Sequence, residues 1–312
     1  MNAMTVKSSH KLQRRQRGLG LIEIMVSLLL VAIMFNGLMD IFLSSRATFS
    51  ATDNITRLQE NGRTAVEILV ADLRRSGYLG GNSDITTIAG SLGPSAAANT
   101  CVTNDTTWAR MISRGLHGLN DTKAGYDCID DDEYLRGDII TMRFASPWQV
   151  ATADFVSTRV YLRSSLFEGK VFLGTDTADA LNVVLDTPQR QHELLAYTYY
   201  IADTGRTCNS GAVPGLFREA LDVNNFPLAE ELIAGVENIQ FQYNIGNRYV
   251  DADNVTDWST VLSVKMWVLV RSECPETGFM DARTYVLGDL ADYTPADAYR
   301  RSLYSTVVAL RN

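Results

Sequence analysis

Residues 18–43 read GLGLIEIMVSLLLVAIMFNGLMDIFL, and this stretch decides the fold of the 312-residue chain. Between positions 19 and 39 the single ionisable side chain is Glu23. A helix needs about 20 mostly apolar residues to cross the hydrocarbon core of a membrane. The sequence therefore predicts one membrane-spanning helix over residues 19–43.

The leader before this stretch is basic. Residues 1–18 contain five lysines and arginines and no acid, whereas the whole chain has 28 basic and 36 acidic side chains and a net charge of −8. Because basic flanks stay in the cytoplasm, we predict that residues 1–18 lie there and that the rest of the chain lies on the outer side. The acidic body disfavours broad binding to nucleic-acid phosphates, which requires clustered Lys and Arg.

Two kinds of secretory signal also begin with a basic region and an apolar core. A cleaved signal peptide fits poorly, because the apolar core is too long and no A-x-A-like site follows it. Arg14 and Arg15 could form a twin-arginine signal, but a basic run before any membrane span produces such a pair easily. Neither alternative explains Glu23. Inserting an acidic side chain into a membrane costs about 2.5–3.5 kcal/mol at mid-bilayer and less near the edge. The carboxylate therefore indicates a binding partner.

The run GLGLIEIMV, from Gly18 to Val26, resembles the leader junction of type IV prepilins: a basic leader, a Gly, four mostly apolar residues and a Glu. The resemblance implies that prepilin peptidase cuts between Gly18 and Leu19 and that the Leu19 amine is methylated. It also implies that Glu23 docks the subunit into the base of the filament, where its carboxylate neutralises the amine of a neighbour.

Three later segments resemble PilW-type minor pilins and their type II secretion relatives of the GspJ kind: residues 235–243 (GVENIQFQY), 258–272 (ending in LVRS) and 304–312 (YSTVVALRN). This resemblance implies a minor pilin, not an enzyme, that helps to prime a type IV pilus and joins it, serving twitching motility and adhesion. Its implied partners are other minor pilins, the major pilin, prepilin peptidase and the inner-membrane assembly platform, with no direct contact to nucleic acid. The implied location is the inner membrane, single-pass, with the C-terminal domain in the periplasm, and then the pilus.

The sequence predicts an α+β, pilin-like fold. Helical spacing continues beyond the membrane half of the helix (19–43) into a periplasmic half (44–77), which we expect to pack on an antiparallel sheet. Gly77 is the predicted C-terminal cap, and because the span contains no proline, any softening of it must come from Asn36 and Gly37. Residues 78–312 form the predicted β-rich periplasmic domain. The apolar stripe of the periplasmic half comprises Ile55, Leu58, Gly62, Ala65, Leu69 and Leu73. The predicted strands are 138–145, 157–162, 181–185, 194–202, 236–243, 261–270 and 304–310.

Four cysteines follow the span: Cys101, Cys128, Cys208 and Cys274. An oxidising periplasm would allow disulfides between them, and three pairings exist. We favour Cys101 with Cys128 and Cys208 with Cys274, because the first pair brackets one local loop. Metal ligation is the rival interpretation, but the sequence has no C-x-x-C pair.

Catalytic patterns are lacking: the sequence contains no G-x-S-x-G, H-E-x-x-H or Walker loop, which favours a protein that is not an enzyme. We expect no cofactor. The alternative is calcium at a D-x-D-N-x-x-D loop formed by Asp251, Asp253, Asn254 and Asp257, because carboxylate and amide oxygens at alternating loop positions suit that ion. The loop departs from the EF-hand pattern.

Two other functions stay open at this point. A type II secretion minor pseudopilin would use the same junction and helix in a short periplasmic piston. A single-pass anchored periplasmic binding protein would use the helix only as an anchor. This last alternative predicts no cleavage at Gly18.

Overall fold

A computed structural model describes residues 20–91, 101, 107–176, 189–209, 211–224 and 226–310. The chain divides into two compact units, Met1–Thr52 and Asp53–Asn312. The long helix α1 (Leu21–Leu73) begins in the first unit and ends in the second. A short second helix, α2, covers Thr107–Arg110.

Helix α1 has the stripe that its sequence periodicity predicts. In the second unit, its buried positions are Leu58, Gly62, Ala65, Asp72 and the leucines at 69 and 73. The predicted start of the stripe is wrong, because Ile55 is 41% exposed. At Gly62 a Cβ would lie only 2.1 Å from the ring of Tyr304, so the close approach of helix and sheet requires glycine.

The end of α1 lies slightly before the predicted one. The helix ends at Leu73, and a turn follows through Gly77, which adopts a left-handed φ of 78°. Glycine reaches this conformation without a steric penalty. The Gly77 N–H then donates to the carbonyl of Arg143 at 2.9 Å. The residue predicted as a cap therefore turns the chain from the helix onto the sheet.

Fourteen strands follow α1 in the described residues. They are β1 (Ile88–Ala89), β2 (Leu116–Leu119), β3 (Tyr134–Gln149), β4 (Val160–Ser164), β5 (Gly169–Leu173), β6 (Arg190–Cys208), β7 (Gly211–Leu221), β8 (Pro227–Ala234), β9 (Val236–Asn244), β10 (Tyr249–Val250), β11 (Ser263–Arg271), β12 (Tyr285–Leu287), β13 (Leu290–Tyr293) and β14 (Arg301–Ala309).

These strands form two main sheets and a hairpin. The larger sheet has eight strands in the order β1-β5-β4-β6-β3-β2, with β7 paired to β6 and β8 paired to β7. The smaller sheet has the order β10-β9-β11-β14, and β12 pairs with β13. All pairs are antiparallel except the short β1–β5 contact. The predicted α+β class, with one long helix and a mostly antiparallel sheet domain, is confirmed.

Six of the seven predicted strands overlap observed strands: β3, β4, β6, β9, β11 and β14. The seventh, residues 181–185, lies outside the described residues. The sequence did not predict β7 or β8, whose segments carry Pro214 and Pro227 together with several charged residues. Proline and charge are depleted in central strands, so composition argued against both.

The main core of the second unit joins α1 to both sheets. Leu58, Ala65, Leu69 and Leu73 pack with apolar residues of β3, β6, β9, β11 and β14. A polar contact fixes the end of the helix: the buried carboxylate of Asp72 accepts a hydrogen bond from the Tyr199 hydroxyl of β6. Helix and sheet are therefore held by both apolar packing and a buried hydrogen bond.

Candidate functional site: the leader junction and the N-terminal helix

The first turn of α1 carries the carboxylate that the sequence singled out. Gly20 precedes the helix, and its carbonyl accepts hydrogen bonds from the N–H groups of Glu23 (2.9 Å) and Ile24 (3.2 Å). Glu23 is exposed and is the acidic residue of the first turn. An acid here is favoured by the positive end of the helix dipole. Gly18 and Leu19, the predicted cleavage and methylation residues, lie outside the described residues.

From Ile24 to Met39 the helix carries no charged side chain, and apolar side chains lie on every side of it. Every residue from 20 to 50 is exposed, including 17 large apolar side chains between Leu21 and Leu43. Among the described residues, α1 is the one helix long and apolar enough to cross a membrane. A helix that is apolar all round must be covered by lipid or by other apolar helices.

Polar side chains within this segment bond to the helix itself. The Ser27 hydroxyl donates to the Glu23 carbonyl at 2.7 Å, and the Asn36 amide donates to the Ala32 carbonyl at 2.9 Å. Satisfying a polar group within the helix lowers the cost of placing it in hydrocarbon. The helix is also continuous through Asn36 and Gly37, so the predicted soft point does not interrupt it. Glu23 is thus set apart as the one carboxylate in the first half of the span.

The predicted calcium loop connects β10 to β11. The carboxylate of Asp251 accepts a hydrogen bond from the Gln242 amide at 2.9 Å. The carboxylate of Asp257 accepts from the N–H and hydroxyl of Ser259 at 2.9 and 2.7 Å, and these bonds lower its pKa. Both carboxylates therefore have protein donors. No group of three or more His, Cys, Asp or Glu side chains in the described part of the chain is arranged to hold a metal. Calcium at Asp251, Asp253, Asn254 and Asp257 stays an untested alternative to the expectation of no cofactor.

The cysteines are paired as the sequence analysis favoured. Cys101 bonds to Cys128 and Cys208 to Cys274, with Cα–Cα distances of 5.6 and 5.2 Å. The second disulfide joins the end of β6 to the segment after β11, across 66 residues of sequence. It therefore ties the large sheet to the small one. Disulfides of this kind persist in oxidising compartments such as the periplasm.

A buried ion cluster holds the C-terminal strand, and the sequence analysis did not find it. The guanidinium of Arg301, at the start of β14, lies 2.5 and 2.9 Å from the carboxylate oxygens of Glu237 in β9. It also lies 2.6 and 2.8 Å from the oxygens of Asp297, and these bonds lower the pKa of that carboxyl. Arg301 and Glu237 are almost fully buried. The cluster therefore links β9 and β14 of the small sheet to the loop before β14.

Asp138 in β3 is a second buried acid that the sequence did not reveal. Its two oxygens accept hydrogen bonds from the backbone N–H groups of Phe241 (2.6 Å) and Asp121 (3.1 Å). Burial raises the pKa of Asp138 to about 8 despite these two bonds. The carboxyl therefore bridges the large sheet to β9 of the small sheet, and at neutral pH it holds a proton.

Asp138 gives the domain a specific pH dependence. The folded carboxyl keeps its proton up to about pH 8, whereas an unfolded Asp loses it near pH 4. Between these values the folded state binds more protons, so this residue makes the free energy of unfolding fall as pH rises through that window. We expect Asp138→Asn to make the free energy of unfolding fall less steeply with pH, by up to about 1.4 kcal/mol per pH unit. Urea unfolding of the full chain in detergent, followed by tryptophan fluorescence at pH 5, 7 and 9, measures the slope.

The fluorescence reports on the second unit because all four tryptophans follow residue 100. Asp132→Asn is the matched control, since Asp132 is exposed, and its slope should equal that of the unaltered chain. Equal slopes for Asp138→Asn and the unaltered chain would contradict a proton on Asp138.

Family comparisons match both ends of the chain. The prokaryotic N-terminal methylation motif matches residues 13–35, which include Gly18, Leu19 and Glu23. The family Type IV Pilus-assembly protein W (PilW) matches residues 198–312, from within β6 to the C-terminus. A type IV-like pilin from Thermus thermophilus aligns with 81% of this chain and 96% of its own, at 12% sequence identity and a TM-score of 0.38. No curated protein matches the chain significantly.

The methylation motif lies at the start of the apolar helix α1, and the mostly antiparallel β domain follows it. The three later segments predicted to be PilW-like all fall within the matched residues 198–312. The chain is therefore similar to the N-terminal methylation motif over residues 13–35 and to the PilW family over residues 198–312.

Proposed function

We propose that this protein is a PilW-type minor pilin that helps to prime the assembly of a type IV pilus and is incorporated into the fibre. The observation that carries the proposal is the position of Glu23: a lone carboxylate in the first turn of an apolar helix, inside the methylation motif. The PilW domain at the other end of the chain supports a pilus role.

Processing supplies the partner that the carboxylate requires. In this proposal prepilin peptidase cuts between Gly18 and Leu19, and the Leu19 amine is then methylated. The new amine begins an apolar helix, so it carries a positive charge at the edge of hydrocarbon. Pairing with the Glu23 carboxylate of a neighbour neutralises both charges as they leave water together.

The proposed location is the inner membrane before assembly and the pilus afterwards, with the domain after the span in the periplasm. The disulfides Cys101–Cys128 and Cys208–Cys274 support an oxidising compartment for this domain. The proposed partners are other minor pilins, the major pilin, the peptidase and the inner-membrane assembly platform. No enzymatic activity and no resident cofactor are proposed.

Deletion of the gene tests the pilus role against secretion. We expect the deletion strain to lose surface pili and twitching motility while secretion through the type II system continues, and we expect the intact gene to restore both. Loss of secretion with normal pili would contradict the proposal and favour a pseudopilin. Normal pili and normal secretion would favour an anchored binding protein.

A further inference from the structure

Two buried amide oxygens lie near the turn that joins β12 to β13. Gln240 of β9 is 0% exposed, and its Oε1 accepts no hydrogen bond from any described residue. Asn120 directly follows β2, and its Oδ1 is also buried without a described donor. Buried side-chain acceptors in native proteins nearly always have a partner, so each of these two oxygens requires an explanation.

Hydrogen bonds fix the orientation of both amides. The Gln240 amide nitrogen donates to an Asp121 carboxylate oxygen at 2.8 Å, and the Asn120 amide nitrogen donates to an Asp289 carboxylate oxygen at 2.9 Å. Flipping either amide would turn its carbonyl oxygen towards a carboxylate, and both groups are acceptors. No alternative orientation of the amides therefore satisfies the two buried oxygens.

The β12–β13 turn, Gly288–Asp289, brings these groups together. A Cβ at Gly288 would lie 3.7 Å from Gln240 Oε1, so this oxygen is directed at the turn. The next residue of the turn is Asp289, which holds the Asn120 amide. Since Asn120 and Asp121 are consecutive, the segment after β2 contacts both the turn and β9. Asn120, Asp121, Gln240 and Asp289 are here called the turn cluster.

The turn cluster carries two acids without a cation. Asp121 and Asp289 are exposed, and neither forms an ion pair with a basic side chain among the described residues. Burial is the main cause of the raised pKa of the neighbouring Asp138, and the charges of Asp121 and Asp289 add to it. Both charges therefore act on the same buried region.

We propose that the turn cluster binds one calcium ion. The protein ligands are the carboxylates of Asp121 and Asp289 and the side-chain oxygens of Asn120 and Gln240. Calcium takes about six to eight oxygen ligands in a flexible geometry and combines carboxylate, amide and water oxygens. Magnesium demands a near-ideal octahedron and loses its water reluctantly, so a site with two buried amide oxygens favours calcium.

The amide oxygens are essential to this site. No group of three or more His, Cys, Asp or Glu side chains in the described residues is arranged to hold a metal, so carboxylates alone do not form it. The ion is a structural ion of the fold and serves no reaction. It ties the β12–β13 hairpin, which pairs with no other strand in the described part of the chain, to β9 and to the segment after β2.

Calcium titration of the purified full chain in detergent tests the site. The protein is treated with EGTA, exchanged into chelator-free buffer and titrated with calcium chloride in an isothermal calorimeter. We expect a saturable binding heat with a Kd of about 10⁻⁴ to 10⁻³ M, the range of extracellular calcium modules. An equal concentration of magnesium chloride should leave this Kd unchanged.

Two variants locate the ion. Asp289→Ala removes a ligand and should weaken calcium binding at least about tenfold. Because Asp289 is exposed, its urea unfolding midpoint in EGTA should equal that of the unaltered chain. Asp253→Ala is the matched control, since it removes an exposed acid from the 251–257 loop and should keep the calcium Kd. Calcium should raise the urea midpoint of the unaltered and Asp253→Ala chains but not that of Asp289→Ala.

Four results would overturn the proposal. They are the absence of a saturable calcium heat with the unaltered chain, equal competition by magnesium, an unchanged Kd in Asp289→Ala, and loss of binding in Asp253→Ala in place of Asp289→Ala. The last result would assign calcium to the 251–257 loop. None of these measurements depends on pilus assembly, so their outcome is independent of the deletion experiment.

Discussion

Replacing Glu23 with Ala is expected to lower the amount of this protein in sheared pili at least about tenfold. Its amount in the membrane should stay unchanged or rise. The helix surface around position 23 is apolar and exposed, so the substitution lowers the cost of membrane insertion. What is lost is the carboxylate that, in the proposed docking, neutralises the amine of a neighbour. The measurement is quantitative immunoblotting of sheared fibres and of membranes from the same cells.

Two controls make this result specific. Glu23→Asp keeps the charge and should retain part of the incorporation, because the shorter side chain reaches the same side of the helix. Glu60→Ala removes an exposed acid from the same helix beyond the span and should have no effect on incorporation. Normal incorporation of the Glu23→Ala chain would show that the carboxylate has no docking role.

Replacing Arg301 with Ala is expected to lower the free energy of unfolding by about 3–5 kcal/mol. The guanidinium neutralises Glu237 and Asp297 and lies 3.7 Å from a carboxylate oxygen of Asp281. Glu237 and Asp281 are 3% and 1% exposed, so removal of the cation leaves buried acids with less compensation. Urea unfolding of the full chain in detergent, followed by tryptophan fluorescence, measures the loss.

A surface ion pair supplies the matched control. Arg206 pairs with Glu231, but its side chain is 51% exposed, and Arg206→Ala should cost less than about 1 kcal/mol. If Arg301→Ala and Arg206→Ala had equal effects, the buried cluster would not stabilise the C-terminal sheet.

The sequence predicted what depends on pattern. Helical spacing located the buried stripe of α1, and the glycine after it located the turn. Alternation of apolar and polar residues located most strands, because the side chains of an antiparallel strand face opposite sides of the sheet. It did not locate β7, whose central charged residues Arg218 and Glu219 interrupt the alternation.

Buried charge could not be read from one sequence. Arg301 follows another arginine, Arg300, and nothing in their order indicates that the second is buried with two acids while the first pairs with the half-buried Glu276. Asp138 lies among strand residues, and one of its two donors, Phe241 of β9, comes more than 100 residues later in the chain. Such contacts depend on which strands become neighbours, and that is set by the whole topology.

The candidate site shows the same division. Glu23 was predicted because one acid in an apolar run is visible in the sequence. The carboxylates of the predicted calcium loop were also visible, but their hydrogen bonds to Gln242 and Ser259 were not. A single charge in an apolar segment can therefore be recognised from local composition. Whether several acids in a polar loop together bind a metal ion cannot.

Mass spectrometry of the N-terminal peptide from the membrane-held protein is the most direct test of the central claim. A docking role for Glu23 requires an amine four residues before it, and cleavage after Gly18 creates that amine at Leu19. The account predicts that the chain begins at Leu19 and carries a methyl group on its α-amine. A chain that begins at Met1, or one cut after the apolar segment near residue 47, would contradict it.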